Sequence, residues 1–386
     1  MFDERTQALL RLTLADGLGP ILVGRLLEHF GSPEAVLSAS PAQLERVRGV
    51  GRSRSRAIAG SLLNLGDRVN RELEAIHKAG ATIVAIGTDS YPQTLTQIPD
   101  PPPLLYVRGK IDPEEGDRYC VAIVGSRDCT HYGLEQAGRF GGGLAAAGLT
   151  VVSGGARGID SAAHRGAIQA GGRTIAVLGC GLSEVYPPEN AELFRSIADE
   201  GRGAVVSELP MTTPPKSENF PARNRIISGL SLGVLVIEAG HRSGSLITAR
   251  VAGEDHGREV MALPGRVDSP ASRGTLDLIK NDGASIVTEP GDVLDLLRPS
   301  GERRHEGGEV SLWKSAADCG EDGGELGLTV RQREVVNGIG LSGESATIEE
   351  LAQRTGLAIH ELRAELTVLE LRRTIRRAGS RFERTR

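Results

Sequence analysis

Short continuous apolar runs punctuate the middle of the chain. They fall at Ala81–Ile86, Leu104–Val107, Val121–Val124, Leu149–Val152, Thr174–Leu178, Ala204–Ser207, Val234–Glu238, Glu259–Leu263 and Ser285–Val287. Runs of this length, bounded by Gly, Pro and Ser, read as strands. Segments that fit helices lie between them at Ile159–Ala170, Pro188–Asp199, Asn224–Gly229, Leu246–Asp255 and Thr275–Lys280. A Gly- and Ala-rich segment suited to close packing joins Val124 to Leu149. Alternating β and α over some 200 residues predicts a doubly wound, mostly parallel sheet across 71–297, with Ala81–Val107 as its leading extension. The βαβ unit from Val121 to Asp160 is central to it.

The flanks follow another pattern. Residues 1–70 read as small helices, with Leu10 and Leu14 one turn apart on a face of Thr6–Leu14, then Ile21–Phe30 and a helix opening at Ser32-Pro33. From 298 to 327 the chain turns to Gly, Glu, Asp and Ser without periodicity, the composition of a disordered linker, with the single Trp313 inside it. Residues 328–386 then give helices at Val330–Ile339, Thr347–Thr355 and Ile359–Leu371 and short strands at Thr374–Arg377 and Arg381-Phe382. That is the order of a winged helix-turn-helix.

At 386 residues the chain exceeds a single core. The start Met1-Phe2-Asp3-Glu4-Arg5 lacks a signal-peptide pattern, no run suits a bilayer, and Cys120, Cys129, Cys180 and Cys319 show no metal or disulfide spacing. The expectation is a cytoplasmic protein with reduced thiols. The net charge of −5 is uneven: nine Arg against four Glu from Leu351 onward give +5, leaving −10 before it. A basic tail of this kind is also what a solvated helix face looks like.

Enzyme chemistry finds little support. There is no Walker A sequence, Gly179-Cys180-Gly181 lacks the third Gly of a dinucleotide fingerprint, and His241, Ser245 and Thr248 lie in no nucleophile frame. The eight histidines show no metal-ligand spacing, and no cofactor is expected. Glu208 and Glu238 end strands, where they fit an acid–base pair or anchors for the Arg-rich helix beside them. More telling is what gathers where strands end. Gly125-Ser126-Arg127 follows one strand, and Gly154-Gly155-Ala156-Arg157-Gly158 the next. Lys216 to Arg225, with Phe220, Arg223 and Asn224, come later, and His241-Arg242-Ser243-Gly244-Ser245 last. Gly turns leading into helix N-termini cradle phosphate, and such ligands sit at the carboxyl ends of parallel strands. Several cations with one aromatic suit a tracked phosphate backbone with a stacked base. Each Arg alone is equally readable as a surface ion pair. The hairpin Val47-Arg48-Gly49-Val50-Gly51-Arg52 resembles that of helix-hairpin-helix modules, and it also fits a plain tight turn.

These blocks together closely resemble the DprA/Smf family of bacterial DNA-processing proteins. The resemblance rests on Val124-Gly125-Ser126-Arg127 with Tyr132-Gly133, Ser153 to Asp160, Thr174 to Gly181 with Tyr186-Pro187, Phe220 to Ser231, Ser243 to Ala249, and Leu263-Pro264-Gly265. It implies an extended Rossmann-like domain between a helix-hairpin-helix (SAM-like) domain and a winged helix. It further implies a non-catalytic protein that binds single-stranded DNA and loads the RecA recombinase on it in natural transformation, with single-stranded DNA-binding protein as a further partner. The DNA site implied comprises Gly125, Ser126, Arg127, Gly154, Gly155, Ala156, Gly158, Lys216, Phe220, Arg223, Asn224, Arg225, Arg242, Ser243, Gly244 and Ser245. Arg242 stands where relatives commonly have Lys. A homodimer through Leu276 and Ile279 is implied as well. The alternative is a nucleotide-binding enzyme of the phosphoribohydrolase type, whose PGGxGTxxE motif this chain lacks.

Overall fold

The computed structural model describes residues 2–302, 330–340, 345–357, 359, 362, 365–366, 369–370, 374–378 and 381–384. Six helices come first: α1 (Glu4–Leu14), α2 (Pro20–Phe30), α3 (Pro33–Leu37), α4 (Pro41–Leu44), α5 (Arg52–Leu63) and α6 (Gly66–Lys78). Their starts obey local chemistry. Asp3, Ser32 and Ser40 cap α1, α3 and α4 with side-chain oxygens, and Pro occupies the first turn of α2, α3 and α4, where its missing N–H costs nothing. Helix α6 runs through the boundary expected at residue 70. Leu65 and Ile76 belong to the same apolar core as Tyr106, Leu178, Phe194 and Met211, so the helical unit packs directly on the sheet.

The sheet domain contains β1 (Ala81–Ala85), α7 (Gln93–Thr96), β2 (Leu104–Gly109), β3 (Cys120–Val124), α8 (His131–Ala146), β4 (Thr150–Ser153), α9 (Ile159–Gln169) and β5 (Thr174–Val177). It continues with α10 (Ala191–Asp199), β6 (Gly203–Ser207), α11 (Asn219–Leu230), β7 (Gly233–Val236), α12 (Ser245–Arg250), β8 (Glu259–Ala262), α13 (Arg273–Asn281), β9 (Ser285–Ile286) and α14 (Pro290–Glu302). The nine strands run β1-β2-β6-β5-β4-β3-β7-β8-β9. Pairing is parallel from β6 to β9 and antiparallel for β1 and β2, which extend one edge. The chain winds outward from β3 to β6 and returns to β7 on the other side of β3. That reversal opens a crevice at the carboxyl ends of β3 and β7.

Three boundaries depart from expectation. Helix α11 begins at Asn219 instead of Asn224, because Pro221 sits in its first turn, where proline is tolerated. The segment after α12 continues as a π-turn, Val251–Asp255, instead of a uniform helix. Helix α14 carries the sheet domain through Arg298 to Glu302, past the expected boundary at 297, while 303–327 of the expected linker, Trp313 and Cys319 lie outside the described residues.

The C-terminal unit has α15 (Val330–Ile339), α16 (Ile348–Thr355), β11 (Ile375–Ala378) and β12 (Arg381–Arg384), as the pattern predicts, and β10 (Ser345–Thr347), which it does not. Strand β12 lies between β10 and β11. The described residues between 359 and 370 are helical, and Leu362, Leu366 and Leu369 join Val335, Leu351 and Phe382 in a separate core. Part of the tail's positive charge is internally paired, as Arg376 with Glu383 and Arg381 with Glu350. Among the described residues no helix is long and apolar enough to cross a membrane.

Candidate nucleic-acid interface

Five loops meet at the carboxyl edge of the parallel strands, after β3, β4, β5, β6 and β7. The first is pinned from both sides: Ser126 N–H donates to the Glu238 carbonyl (2.8 Å), and Ile159 N–H donates to the Ser126 carbonyl (3.3 Å). A side chain on Gly125 would stand 2.5 Å from Ile159 Cγ1 and 2.9 Å from the Glu238 carbonyl, so the backbone itself forms the floor. Ser126 Oγ closes the turn onto Asp128, donating to its carbonyl and accepting its N–H. Arg127 is left exposed.

The second loop turns its carbonyls inward. Asn190 Nδ2 donates to the Gly155 carbonyl (2.9 Å) and Ser161 Oγ to the Ala156 carbonyl (2.5 Å). No intramolecular acceptor is found among the described residues for the N–H of Arg157 or Gly158. Gly158 caps α9 at φ +75°, and a side chain there would meet the carbonyls of Ser126 (2.5 Å) and Arg127 (2.8 Å). Only glycine lets the first two loops approach this closely. The result is a concavity of backbone N–H groups at a helix N-terminus, suited to an anion.

Phe220, in the first turn of α11, stands over this concavity. The Arg127 guanidinium lies 4.9 Å from its ring centroid, and the Tyr186 ring 5.5 Å away at 43°. A side chain on Gly179 would reach 2.8 Å from Phe220, so Gly179 gives the ring its seat, a role unrelated to a dinucleotide fingerprint. Arg127, Gly154, Ala156, Tyr186, Phe220 and Arg223 line one small cleft. Tyr186 lies outside the site residues that the sequence predicts. Its Tyr-Pro neighbourhood is visible there, but its pairing with a ring 34 residues away is not.

The arginines of α11, unlike Arg127, are buried. Arg225, expected among the DNA-contacting residues, is buried and paired with Glu208 (2.5 Å) and Asp100 (3.0 Å). Its charge is internally compensated by these two carboxylates, which tie α11 to the segments that carry them. Arg223 is also buried, only 4% exposed. It sits beneath Gly154, where an added side chain would strike its guanidinium and stand 2.7 Å from Asp160 Oδ2. Burial pulls Arg223 down to about 10, against the opposing pull of Asp160, so it remains charged at neutral pH. Burial likewise raises Asp160, although Arg223 opposes that shift and the Ala156 N–H donates to its Oδ2 (3.3 Å). Arg223 therefore supplies field from below the glycine loop.

The two strand-end carboxylates also have structural employment. Glu208 holds Arg225. Glu238 accepts from Thr130 N–H (3.1 Å) and Thr130 Oγ1 (2.6 Å) at the N-terminus of α8, where a negative charge is favoured. They anchor elements, as one of the two sequence readings has it. Arg157 is exposed and paired with Glu189. Asn224 is half-buried, and Ser243 and Ser245 bond each other (2.8 Å) beside Gly244 at the start of α12. Lys216 and Arg242 are exposed in the loops after β6 and β7, with no ion pair among the described residues. Leu276 and Ile279 are half-buried on α13, whose Gly274 N–H donates to the Ala239 carbonyl after β7 (2.7 Å), and Ile286 of edge strand β9 is exposed.

Comparison with known proteins agrees with this architecture. Residues 82–298 match the family profile "DNA recombination-mediator protein A", residues 9–60 a SAM-like helix-hairpin-helix tandem, and residues 329–380 a DprA winged helix domain. Protein Smf of Synechocystis sp. is 42% identical over 283 residues, 73% of this chain and 70% of that protein. The crystal structure of DNA processing protein A from Streptococcus pneumoniae superposes with a TM-score of 0.64 at 34% identity, over 76% of this chain and 98% of that one. The structure from Helicobacter pylori, reported for its single-stranded DNA binding mode, gives 0.50 at 29% identity over 57% and 96%. With an extended Rossmann-like sheet flanked by these two modules, the chain belongs to the DNA recombination-mediator protein A family, the DprA/Smf proteins.

Proposed function

We propose that this protein binds single-stranded DNA along the carboxyl edge of its sheet and loads the RecA recombinase onto it in the cytoplasm, during natural transformation, without catalysing a reaction. The observation that carries this reading is the stack of Arg127, Phe220 and Tyr186 over the N–H concavity of Gly154–Gly158. An aromatic face takes a base, which duplex DNA keeps within its stack. The concavity takes a phosphate, and Arg127, Lys216 and Arg242 neutralise others along the strand. The single-stranded DNA binding named for the Helicobacter pylori relative supports the same reading. Single-stranded DNA-binding protein is a further partner in this reading.

A titration of the pure protein with poly-dT, duplex DNA and free nucleotides tests this reading. Preference for poly-dT and intact nucleotides are expected. Equal affinity for duplex, or nucleotide cleavage, sinks it. A second copy of the chain sits against the half-buried Leu276 and Ile279 of α13, making a homodimer. Ile279→Glu places a charge in that contact and should yield a monomer by sedimentation. A wild-type protein already monomeric at micromolar concentration removes the dimer from the account.

A further inference from the structure

The loop that carries Lys216 is held from outside the sheet domain. Between the end of β6 and the start of α11 the chain runs from Glu208 to Glu218 without regular secondary structure. Inside this loop Met211 is fully buried, and both of its backbone groups are taken. Its carbonyl accepts from Ser183 N–H (2.9 Å), and its N–H donates to Glu72 Oε1 (2.6 Å). Glu72 stands on α6, the last helix of the N-terminal unit, 139 residues away in sequence and only 6% exposed. It also lies beside β2: burial, and next the Glu72 carboxylate, push the Tyr106 hydroxyl well above its ordinary range. Burying a carboxylate at such a junction costs desolvation free energy, and a charge-assisted bond like that from Met211 offsets part of it.

The hold on Met211 reaches Lys216 through a stiff segment. Thr213 N–H donates to the Pro210 carbonyl, and the Thr213 carbonyl accepts from Gly181 N–H, both at 2.9 Å. A side chain on Gly181 would strike the carbonyls of Pro210 and Met211, so the loops after β5 and β6 lie backbone against backbone. Pro214 and Pro215 follow, both exposed. Their rings fix φ and disfavour a helical turn for the residues before them, which leaves little play ahead of Lys216. Lys216 is exposed, and its carbonyl accepts Asn219 N–H (3.0 Å) at the first turn of α11, directly before Phe220. The contacts thus run from Glu72 through Met211, Thr213 and the two prolines to a cation that faces solvent at the cleft.

We propose that Glu72 is a positioning residue for the single-strand cleft: from the N-terminal unit it fixes the Met211 backbone and so holds Lys216 where a phosphate passes. This role rests on the single-stranded DNA reading above. Its sign sets it apart from plain electrostatics. A carboxylate acting only by its charge repels DNA, and its removal would raise affinity. A carboxylate acting by position does the reverse, because Lys216 loses its place along the strand when the carboxylate is gone.

The test uses the full chain and labelled poly-dT, with anisotropy followed over a salt series. Glu72→Ala should weaken binding about fivefold at low salt and make the log–log slope shallower by about 0.7, one phosphate contact. Glu72→Gln keeps Oε1 as an acceptor and should bind within about twofold of wild type. Lys216→Ala should lose the same contact, and adding Glu72→Ala to it should change nothing further, because the two act along one chain of contacts. Glu72→Ala also leaves a buried N–H unpaired, which lowers stability. A second variant therefore keeps that junction intact: P214G/P215G, at two exposed positions, should reproduce the shallower slope with Glu72 in place. Wild-type affinity and slope in both Glu72→Ala and P214G/P215G overturn the proposal, as does tighter binding by Glu72→Ala. Equal losses in Glu72→Ala and Glu72→Gln overturn it, since charge and not position then matters. A further loss when Glu72→Ala is added to Lys216→Ala overturns it too, because Glu72 then acts elsewhere. A wild-type protein that fails to bind poly-dT removes the single-strand reading itself, and this role for Glu72 with it.

Discussion

The strand-end cleft and the hairpin before α5 are both rich in arginine, and they employ it in opposite ways. In the cleft, Arg223 and Arg225 are buried, Arg157 is paired with Glu189, and Arg127 leans on Phe220. In the hairpin every arginine from 46 to 56 is exposed and free of carboxylates among the described residues. A count of cations in the sequence therefore says little about how many reach a ligand. Burial removes some and converts them into supports, while an aromatic neighbour turns a simple cation into part of a base-binding surface. The cleft buries or pairs most of its arginines, and the hairpin leaves its own exposed.

The largest effect that separates the two regions is on stability. Arg225→Ala removes a buried cation from the half-buried Glu208 and Asp100, and breaking such a pair by removing one partner costs up to about 3–5 kcal/mol. Arg54→Ala, at the exposed hairpin, should stay within about 0.5 kcal/mol. Urea unfolding of the two variants checks the contrast. It also has a pH signature. Burial already raises Glu208 above the usual carboxylate range, and loss of Arg225 raises it further. The unfolded chains titrate alike and cancel, so the deficit should be present near pH 7 and above and shrink as the pH falls through the further-raised Glu208 of the variant. An equal deficit at pH 7 and pH 5 contradicts this account of α11.

A smaller effect sharpens the comparison at the level of ligand. Phe220→Ala should cost roughly 1–3 kcal/mol in poly-dT binding without changing its salt slope, because a stacked base carries no counterion. Its duplex binding should be unaltered. A loss shared by duplex and single strand places Phe220 in a general electrostatic surface and removes the distinction between the regions.

The sheet was legible because its strands are continuous apolar runs broken by glycine turns, and those turns placed Gly125–Arg127 and Gly154–Gly158 at one edge without further information. Phe220 was legible as the one aromatic among the strand-end cations, and the start of its helix was hidden by Pro221, which ordinarily signals a break. What the pattern does not reveal is pairing over distance. Arg225 meets Asp100 across 125 residues, Tyr186 meets Phe220 across 34, and Glu238 meets Thr130 across 108. Local periodicity records which way a residue faces, and it holds no record of which distant partner the sheet order brings to it. The third strand of the wing, β10, is only three residues long, too short to give a period of its own.

The central claim is that the strand ends follow a phosphate backbone, and Arg127 is its most exposed test. A salt titration of Arg127→Ala against wild type on poly-dT measures it directly. If the guanidinium neutralises one phosphate, binding weakens at low salt and the log–log slope becomes shallower by about 0.7. If Arg127→Ala binds like wild type at every salt concentration, the DNA does not pass through this cleft.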